Sequence, residues 1–277
     1  MKALVTGGTG TIGHALVPLL LARGYEVIVF SRDELKQSQM RKEFPTVCYI
    51  LGDVRDYDRL REVLPGVQRV IHAAALKRVD NTTDPLEVIK TNVMGSSNVA
   101  RACRETGVPE ALFTSSDKAA YPINLYGMTK ALAEKVFLHY GYTVVRYGNV
   151  LGSRGSLLQE IEECRREGRP IPVTDRRMTR FWWTPEEAAS WILSVPPVGR
   201  LFVPVMKSRP VLDLITEAAH GHPTIDVGLR PGWEKLHEWL MTIEESRCAV
   251  LDEEKGWYEV VPGFPVGTPF EYVSGKG

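Results

Sequence analysis

Three consecutive residues, Ser116, Asp117 and Lys118, set a hydroxyl, a carboxylate and an amine side by side. Tyr126 follows eight residues after Lys118, and Lys130 four residues after that. On a helix the last two share one face, about one turn apart. A lysine beside a phenol favours phenolate and lowers its pKa. A phenol poised that way can take a proton from a substrate hydroxyl near neutral pH. Taken alone, Tyr-x-x-x-Lys is a common chance spacing on solvated helix faces, and Asp-Lys is a common turn dipeptide. What precedes them in the chain decides between these readings.

The elements that must position these groups begin at the N-terminus. KALVT (residues 2–6) reads as a short apolar strand and runs into GGTGTIG. Gly8, Gly10 and Gly13 satisfy G-x-G-x-x-G, and Gly7, Gly10 and Gly13 satisfy G-x-x-G-x-x-G. An amphipathic helix over residues 14–23, closed by Gly24, and a strand over 26–30 complete the unit that a dinucleotide fingerprint requires. The glycines let the backbone approach a pyrophosphate, and the helix N-terminus offers it unpaired N–H groups. An NAD site wants a carboxylate at the end of the second strand for the ribose 2′-hydroxyl. Here Ser31 and Arg32 stand there with Lys36 a turn further on, which suits a 2′-phosphate and so NADP; Asp33 and Glu34 keep NAD as the second reading.

Strands are expected over 47–51, 67–72, 110–115 and 142–146, with helices over 57–64, 85–107 and from Tyr126 onward. That alternation predicts an α/β fold, a doubly wound parallel sheet. Ala73, Ala74 and Ala75, at the carboxyl end of the fourth strand, leave room for a cofactor. After residue 150 the texture changes. A helix over 156–167 stops at Gly168, an arginine-rich aromatic segment (VTDRRMTRFWWT) follows, and RPGWEK leads into a helix ending near Met241. The domain reading is therefore 1–150 for the Rossmann domain and 151–277 for a smaller, mainly substrate-binding lobe. Arg169, Arg176, Arg177 and Arg180 suit a diphosphate, or else an ordinary charged surface. The Gly- and Pro-rich tail after Val261 is expected along the surface.

Composition excludes several classes. Lys+Arg and Asp+Glu are both 34 in 277 residues, so nothing marks a nucleic-acid or anionic-membrane binder. No apolar run approaches the ~20 residues of a membrane span, and Met1 leads straight into a strand without a signal peptide. The four cysteines are scattered and the six histidines form no ligand spacing. That fits a reducing, cytoplasmic setting and no metal site.

Taken together these residues resemble the extended short-chain dehydrogenase/reductase superfamily, which shares TGGTGxIG, HAAA and YxxxK. More specific strings (FSRDELKQSQM, GDVRD, HAAALK, IKTNV, SDKAAYPINLYGMTK, VVRYGNVLGSRGS, TDRRMTRFW, LFVP, RPGWEKLHE) resemble the inverting, 5-epimerising UDP-N-acetylglucosamine 4,6-dehydratases, from Met1 to about Pro262. That resemblance implies UDP-GlcNAc as substrate, NADP reduced and reoxidised within one turnover, and a UDP-4-keto-6-deoxy-L-arabino-hexosamine product. Catalysis would fall to Ser116, Asp117, Lys118, Tyr126 and Lys130. Tyr126 with Lys130 would deprotonate the 4-hydroxyl, Lys118 would take the C5 proton, and Asp117 would protonate the departing 6-hydroxyl. Ser116 stands where the family has Thr.

By the same resemblance the cofactor would meet Gly7, Thr9, Gly10, Thr11, Ile12, Gly13, Ser31, Arg32, Lys36, Asp53, Val54, Ala73, Ala74, Ala75, Lys77, Asn92, Tyr126, Lys130 and Tyr147. The substrate would meet Lys77, Asn149, Arg154, Ser156, Thr174, Met178, Arg180, Arg230 and Glu234. Relatives pair through helices flanking the active site, so a homo-oligomer is implied. Arg78 replaces the family's usual His, Tyr121 its usual Asn, and Trp233 is inserted into RPGEK. The acid–base pair Asp117–Lys118 separates a dehydratase from a 4-epimerase, which needs only hydride transfer and the tyrosine base. A C5-retaining dehydratase and a non-catalytic NADP-binding protein are the remaining rivals.

Overall fold

The computed structural model describes residues 1–77, 84–153, 155–261, 263 and 265–275. The N-terminal half alternates as read from the sequence: β1 (Lys2–Thr6), α1 (Thr11–Ala22), β2 (Glu26–Ser31), α2 (Glu34–Glu43), β3 (Cys48–Leu51), α3 (Tyr57–Val63) and β4 (Arg69–His72). Then come α4 (Pro85–Ile89), α5 (Gly95–Glu105), β5 (Glu110–Thr114), α6 (Leu125–His139), β6 (Thr143–Val145) and β7 (Asn149–Val150). The later elements are α7 (Leu157–Glu167), β8 (Ile171–Val173), β9 (Thr179–Trp183), α8 (Pro185–Ser194), β10 (Leu201–Pro204), β11 (Ser208–Pro210), α9 (Val211–Ala219) and β12 (Thr224–Asp226). The chain closes with β13 (Trp239–Met241), α10 (Ile243–Ser246), β14 (Ala249–Asp252), β15 (Trp257–Val260) and β16 (Tyr272–Val273).

Seven parallel strands form the centre of the sheet in the order β10-β6-β5-β4-β1-β2-β3, the doubly wound arrangement. Their side chains are apolar on both faces because helices cover both; Leu4, Val5, Val29, Val70, Ile71, Val144 and Val145 are all fully buried. The chain turns from β1 into α1 without room for side chains. A Cβ on Gly13 would lie 2.3 Å from the Gly8 Cα, and one on Gly7, whose φ is +65°, would lie 2.7 Å from the Ala74 Cα. Helix, strand and the β4 exit are therefore in backbone contact, as a pyrophosphate cradle demands.

Four expectations change. The helix over 85–107 is interrupted by a π-turn at Lys90–Met94, a distortion that often marks a functional site. The helix ending near Met241 does not form. Trp239–Met241 pairs instead with β16 as a strand. That pairing takes part of the C-terminal tail off the surface, with Val273 and Ser274 buried. Finally, the sheet runs past residue 150: β10 joins β6 in parallel, and β15 and β14 extend the edge antiparallel. The lobe with its own apolar cluster is smaller, formed by Ile161, Cys164, Ile171, Val173, Ile215 and Ala219 from α7, β8 and α9.

One buried ion cluster ties the two halves. Arg146, 2% exposed, donates through Nε and Nη2 to Glu134 on α6 (2.9 and 2.6 Å) and through Nη1 and Nη2 to Glu245 on α10 (2.6 and 2.9 Å). Its fifth N–H reaches the Leu240 carbonyl at 3.1 Å. Breaking such a cluster strands buried carboxylates. Arg146→Met is expected to cost about 3–5 kcal/mol in urea unfolding at neutral pH; a loss no larger than that of an exposed pair, below about 1 kcal/mol, would contradict this account.

Candidate active site

The site lies along the carboxyl ends of β1, β2, β4, β5 and β6, where ligands enter open α/β sheets. Its nucleotide half is a groove lined by Gly7, Thr9 and Gly10, by Ser31, Arg32 and Lys36, by Asp53 and Val54, and by Ala73, Ala74 and Ala75. Asp33, the carboxylate of the NAD reading, lines it too, as do Phe30, Gly52, Leu76 and Thr91, which were not singled out in the sequence. Thr11, Ile12 and Gly13 form the first turn of α1. The side-chain-free cradle at Gly7 and the small alanines facing it fit a dinucleotide. So does Thr91 Oγ1, which is buried in the groove wall without a hydrogen-bond partner among the described residues.

The end of β2 carries more charge pairing than the sequence suggested. Lys36 pairs with Asp33, which also caps α2 through the Lys36 amide at 3.0 Å. Arg32 Nη1 is 3.5 Å from Asp53 Oδ2, and Arg55 holds the same carboxylate at 2.7 Å. The Ser31 hydroxyl accepts from Gln37 Nε2 at 3.0 Å.

Asn92 does not face the groove directly. Its side chain accepts from the Leu76 amide (2.8 Å) and donates to the Leu76 carbonyl (2.8 Å) and Thr129 Oγ1 (3.0 Å). The π-turn thus lets one side chain hold the groove wall against α6. Tyr147 is likewise turned inward, packed beside Trp183 and Trp191, and burial pushes its phenol well up. Its carbonyl accepts the Asp117 amide at 2.9 Å. Lys77 lies exposed at the rim.

The catalytic half forms where β5 ends. A short 3₁₀ turn, Asp117–Ala119, opens from Ser116, and α6 opens from Asn124, whose Oδ1 accepts from the Gly127 amide at 2.8 Å. Asp117 is fully buried, and its Oδ1 accepts from Ser116 Oγ (2.9 Å) and Lys118 Nζ (3.0 Å). Its Oδ2 is buried with no partner among the described residues. Lys118 Nζ also donates to Asn149 Oδ1 at 3.0 Å, so Asn149, expected at the substrate, holds the lysine here.

The electrostatics revise the expected Tyr126–Lys130 pairing. Burial pushes the Tyr126 phenol above its ordinary value, and Lys118, rather than Lys130, is the cation that pulls it back. Lys130 points at the strand. Its Nζ donates to the Thr114 carbonyl at 2.5 Å and lies 4.1 Å from the centre of the Phe113 ring. Burial lowers its pKa to about 7 despite Glu134 nearby. Lys118 shows the opposite balance: burial pulls it down, but Asp117 and Glu238 outweigh burial and keep it above its ordinary range.

Of the remaining expected substrate contacts, Arg180 is engaged with backbone carbonyls. It is 6% exposed and its guanidinium donates to the Thr179, Leu236 and Lys235 carbonyls at 2.7, 3.0 and 2.9 Å, bonds that leave it facing the protein. Arg230 and Glu234 pair with each other at 2.7 Å in the exposed loop before β13. Ser156 opens α7, while Thr174 and the buried Met178 flank the turn between β8 and β9. Arg169, Arg176 and Arg177 pair with Glu167, Asp226 and Asp175, the ordinary charged surface of the two readings. Arg154 and Arg78 lie outside the described residues.

Residues 233–244 clamp the catalytic turn, and nothing in local sequence pattern announced this. Asn124 Nδ2 donates to the Trp233 carbonyl (2.8 Å) and Lys235 Nζ to the Ala120 carbonyl (2.9 Å). Tyr121, at φ +46°, accepts from the Ile243 amide (2.9 Å) and sets its ring edge-on to Trp239. A left-handed backbone is costly for tyrosine and natural for the asparagine usual there; these contacts offset that cost. Glu238, buried, reaches the site as well, 3.8 Å from Lys118 Nζ.

Comparison with known proteins agrees with this geometry. Residues 3–255 match the family model described as polysaccharide biosynthesis protein. A Campylobacter jejuni protein named UDP-N-acetylglucosamine 4,6-dehydratase (inverting) is 39% identical over 277 aligned residues, covering 94% of this chain and 82% of that one. A Rickettsia bellii protein named UDP-glucose 4-epimerase is 33% identical over 283, with the same coverage of 94% and 82%. The solved structure of Pen from Bacillus thuringiensis superposes with a TM-score of 0.91 at 32% identity, covering 100% of this chain and 94% of that one. With its doubly wound sheet, glycine cradle and Ser-Asp-Lys/Tyr-x-x-x-Lys site, the chain belongs to this polysaccharide biosynthesis family of extended short-chain dehydrogenase/reductases, as a relative of the inverting UDP-N-acetylglucosamine 4,6-dehydratases.

Proposed function

We propose that this protein is a UDP-N-acetylglucosamine 4,6-dehydratase that inverts C5 and yields a UDP-4-keto-6-deoxy-L-arabino-hexosamine. The observation that carries the reading is the buried Asp117 joined to Lys118 at 3.0 Å beside Tyr126. The groove lined by Gly7, Gly10, Ser31, Arg32 and Ala73–Ala75 would hold a nicotinamide dinucleotide, which would supply a hydride acceptor for C4 and a hydride donor for C6. Tyr126 accepts the 4-hydroxyl proton, with Ser116 within hydrogen-bonding reach of its phenol. The resulting 4-keto group acidifies C5–H. Lys118 takes that proton, the electron pair left behind forms the C5=C6 bond, and the 6-hydroxyl leaves as water with a proton from Asp117. Reprotonation of C5 from the other face inverts it.

For this, Asp117 must hold a proton and Lys118 must be neutral. Both follow from moving one proton along the Lys118 Nζ–Asp117 Oδ1 hydrogen bond. The proton so placed on Asp117 Oδ1 is the one passed to the leaving hydroxyl. Proton NMR of UDP-GlcNAc turned over in D₂O is expected to show a new C6 methyl and deuterium at C5. Asp117→Asn and Lys118→Met are each expected to lower that rate about 10²–10⁴-fold. A UDP-GalNAc signal without a methyl, unaffected by these variants, would instead establish a 4-epimerase, the second reading that the Rickettsia relative favours.

NADP is the proposed cofactor, with the 2′-phosphate drawn to Arg32 and Lys36 in competition with Asp53 and Asp33. Arg32→Ala is expected to weaken NADP binding at least about 10-fold while changing NAD binding little. Tighter binding of NAD than of NADP by the unaltered protein would reverse the assignment.

We also place the protein in the cytoplasm, as a homo-oligomer. Its four cysteines are all unpaired, which suits a reducing compartment. No helix among the described residues is long and apolar enough to cross a membrane. Leu86, Met94, Met128 and Leu132 are 60%, 55%, 46% and 55% exposed on the adjoining α4, π-turn and α6, an apolar face that a second copy would cover. Light scattering should report a multimer that Leu132→Glu dissociates; a monomer before substitution would rule out this interface.

A further inference from the structure

Beyond the residues of the acid–base pair stands Glu238, in the segment between Arg230 and β13. It is 3% exposed, and three cations converge on it: Lys235 at 2.9 Å, Lys118 at 3.8 Å and Arg180 at 3.9 Å. A carboxylate is almost never buried so deeply without such pairing. Lys235 and Arg180 have other work, bracing the Ala120 carbonyl and the 235–236 backbone. Lys118 is the one partner of the three assigned to proton transfer. The Lys118 ammonium therefore has two carboxylates within 4 Å, Asp117 at 3.0 Å and Glu238 at 3.8 Å.

We propose that Glu238 is a positioning residue for the elimination step, fixing the Lys118 amine and stabilising the positive charge it gains when it takes the C5 proton. This rests on the dehydratase reading for the identity of that step, but not for the charge coupling itself. The groups facing Lys118 are Asp117 on its own turn, Glu238 from the loop before β13, Arg180 on β9 and Tyr126 on α6, with the neutral Asn149 on β7. Lys235 acts on Lys118 through Glu238. A fixed negative charge at Glu238, 3.8 Å from the Lys118 ammonium, favours the protonated lysine. Removing it should therefore carry the limb of the rate profile set by Lys118 to lower pH, whereas loss of packing alone would lower the rate without moving that limb.

The direct test is NMR titration of protein labelled at the lysine Cε, with Lys118 assigned through Lys118→Met. In Glu238→Gln the Lys118 titration is expected to fall by about 1–3 pH units, and in Glu238→Asp, which keeps the charge, to stay near that of the unaltered protein. Lys235→Met, which removes a competing cation, should move it the other way. The dehydration rate profile of Glu238→Gln should shift in the limb set by Lys118. A Lys118 titration that does not move in Glu238→Gln overturns the proposal; should that variant not fold, an unmoved titration in Lys235→Met does so. If the unaltered protein makes no methyl product from UDP-GlcNAc, the dehydratase reading falls, while the titration still decides whether Glu238 governs Lys118.

Discussion

Arg146 donates all five of its N–H groups inside the protein, four to the Glu134 and Glu245 carboxylates and one to the Leu240 carbonyl. Glu134 lies on the helix that carries Tyr126 and Lys130, and it also accepts from Ser115 at 2.5 Å, next to Ser116. Glu245 closes a capping box with Thr242 just after the clamp segment. A planar guanidinium with fixed donor directions specifies the relative placement of everything it holds. It therefore couples the end of β5, the start of the catalytic helix and the C-terminal segment, the three places from which the active site is assembled.

The catalytic turn itself has little intrinsic rigidity. It is a single 3₁₀ turn followed by a residue with positive φ. Its order comes from outside, through Tyr147, Asn149 and the segment over 233–244. Such external bracing suits an acid and a base that must stay about one hydrogen bond apart while exchanging charge, because a loose geometry would cost rate steeply. It also accounts for the inward-facing Arg180 and Lys235 of that C-terminal part.

Burial sorts the titratable groups by task. His72, buried between Thr6 and Ser96, is held neutral with its pKa lowered to about 3. Lys130 is lowered to about 7, whereas Lys118, with two carboxylates beside it, is raised. The two lysines differ because one faces a carbonyl and an aromatic ring and the other faces charge. Neither difference is visible from Tyr-x-x-x-Lys or Asp-Lys as strings.

By itself the sequence determined the parallel sheet, the glycine cradle and the small residues at the end of β4, and it displayed the contiguous Ser116-Asp117-Lys118 string from which the acid–base set is proposed. These rest on local period, turn chemistry and contiguous motifs, which a linear chain displays directly. Tertiary structure alone decided the rest. It showed that Asn92 braces Leu76 through a π-turn, that Arg180 is occupied by backbone carbonyls, and that Asn149 holds Lys118. It turned the expected last helix into a strand paired with β16 and returned β10, β14 and β15 to the main sheet. Glu238 comes within 3.8 Å of Lys118 across 120 positions of sequence. Whether a charge meets substrate, backbone or another charge depends on which distant segment folds against it, and spacing along the chain carries no record of that.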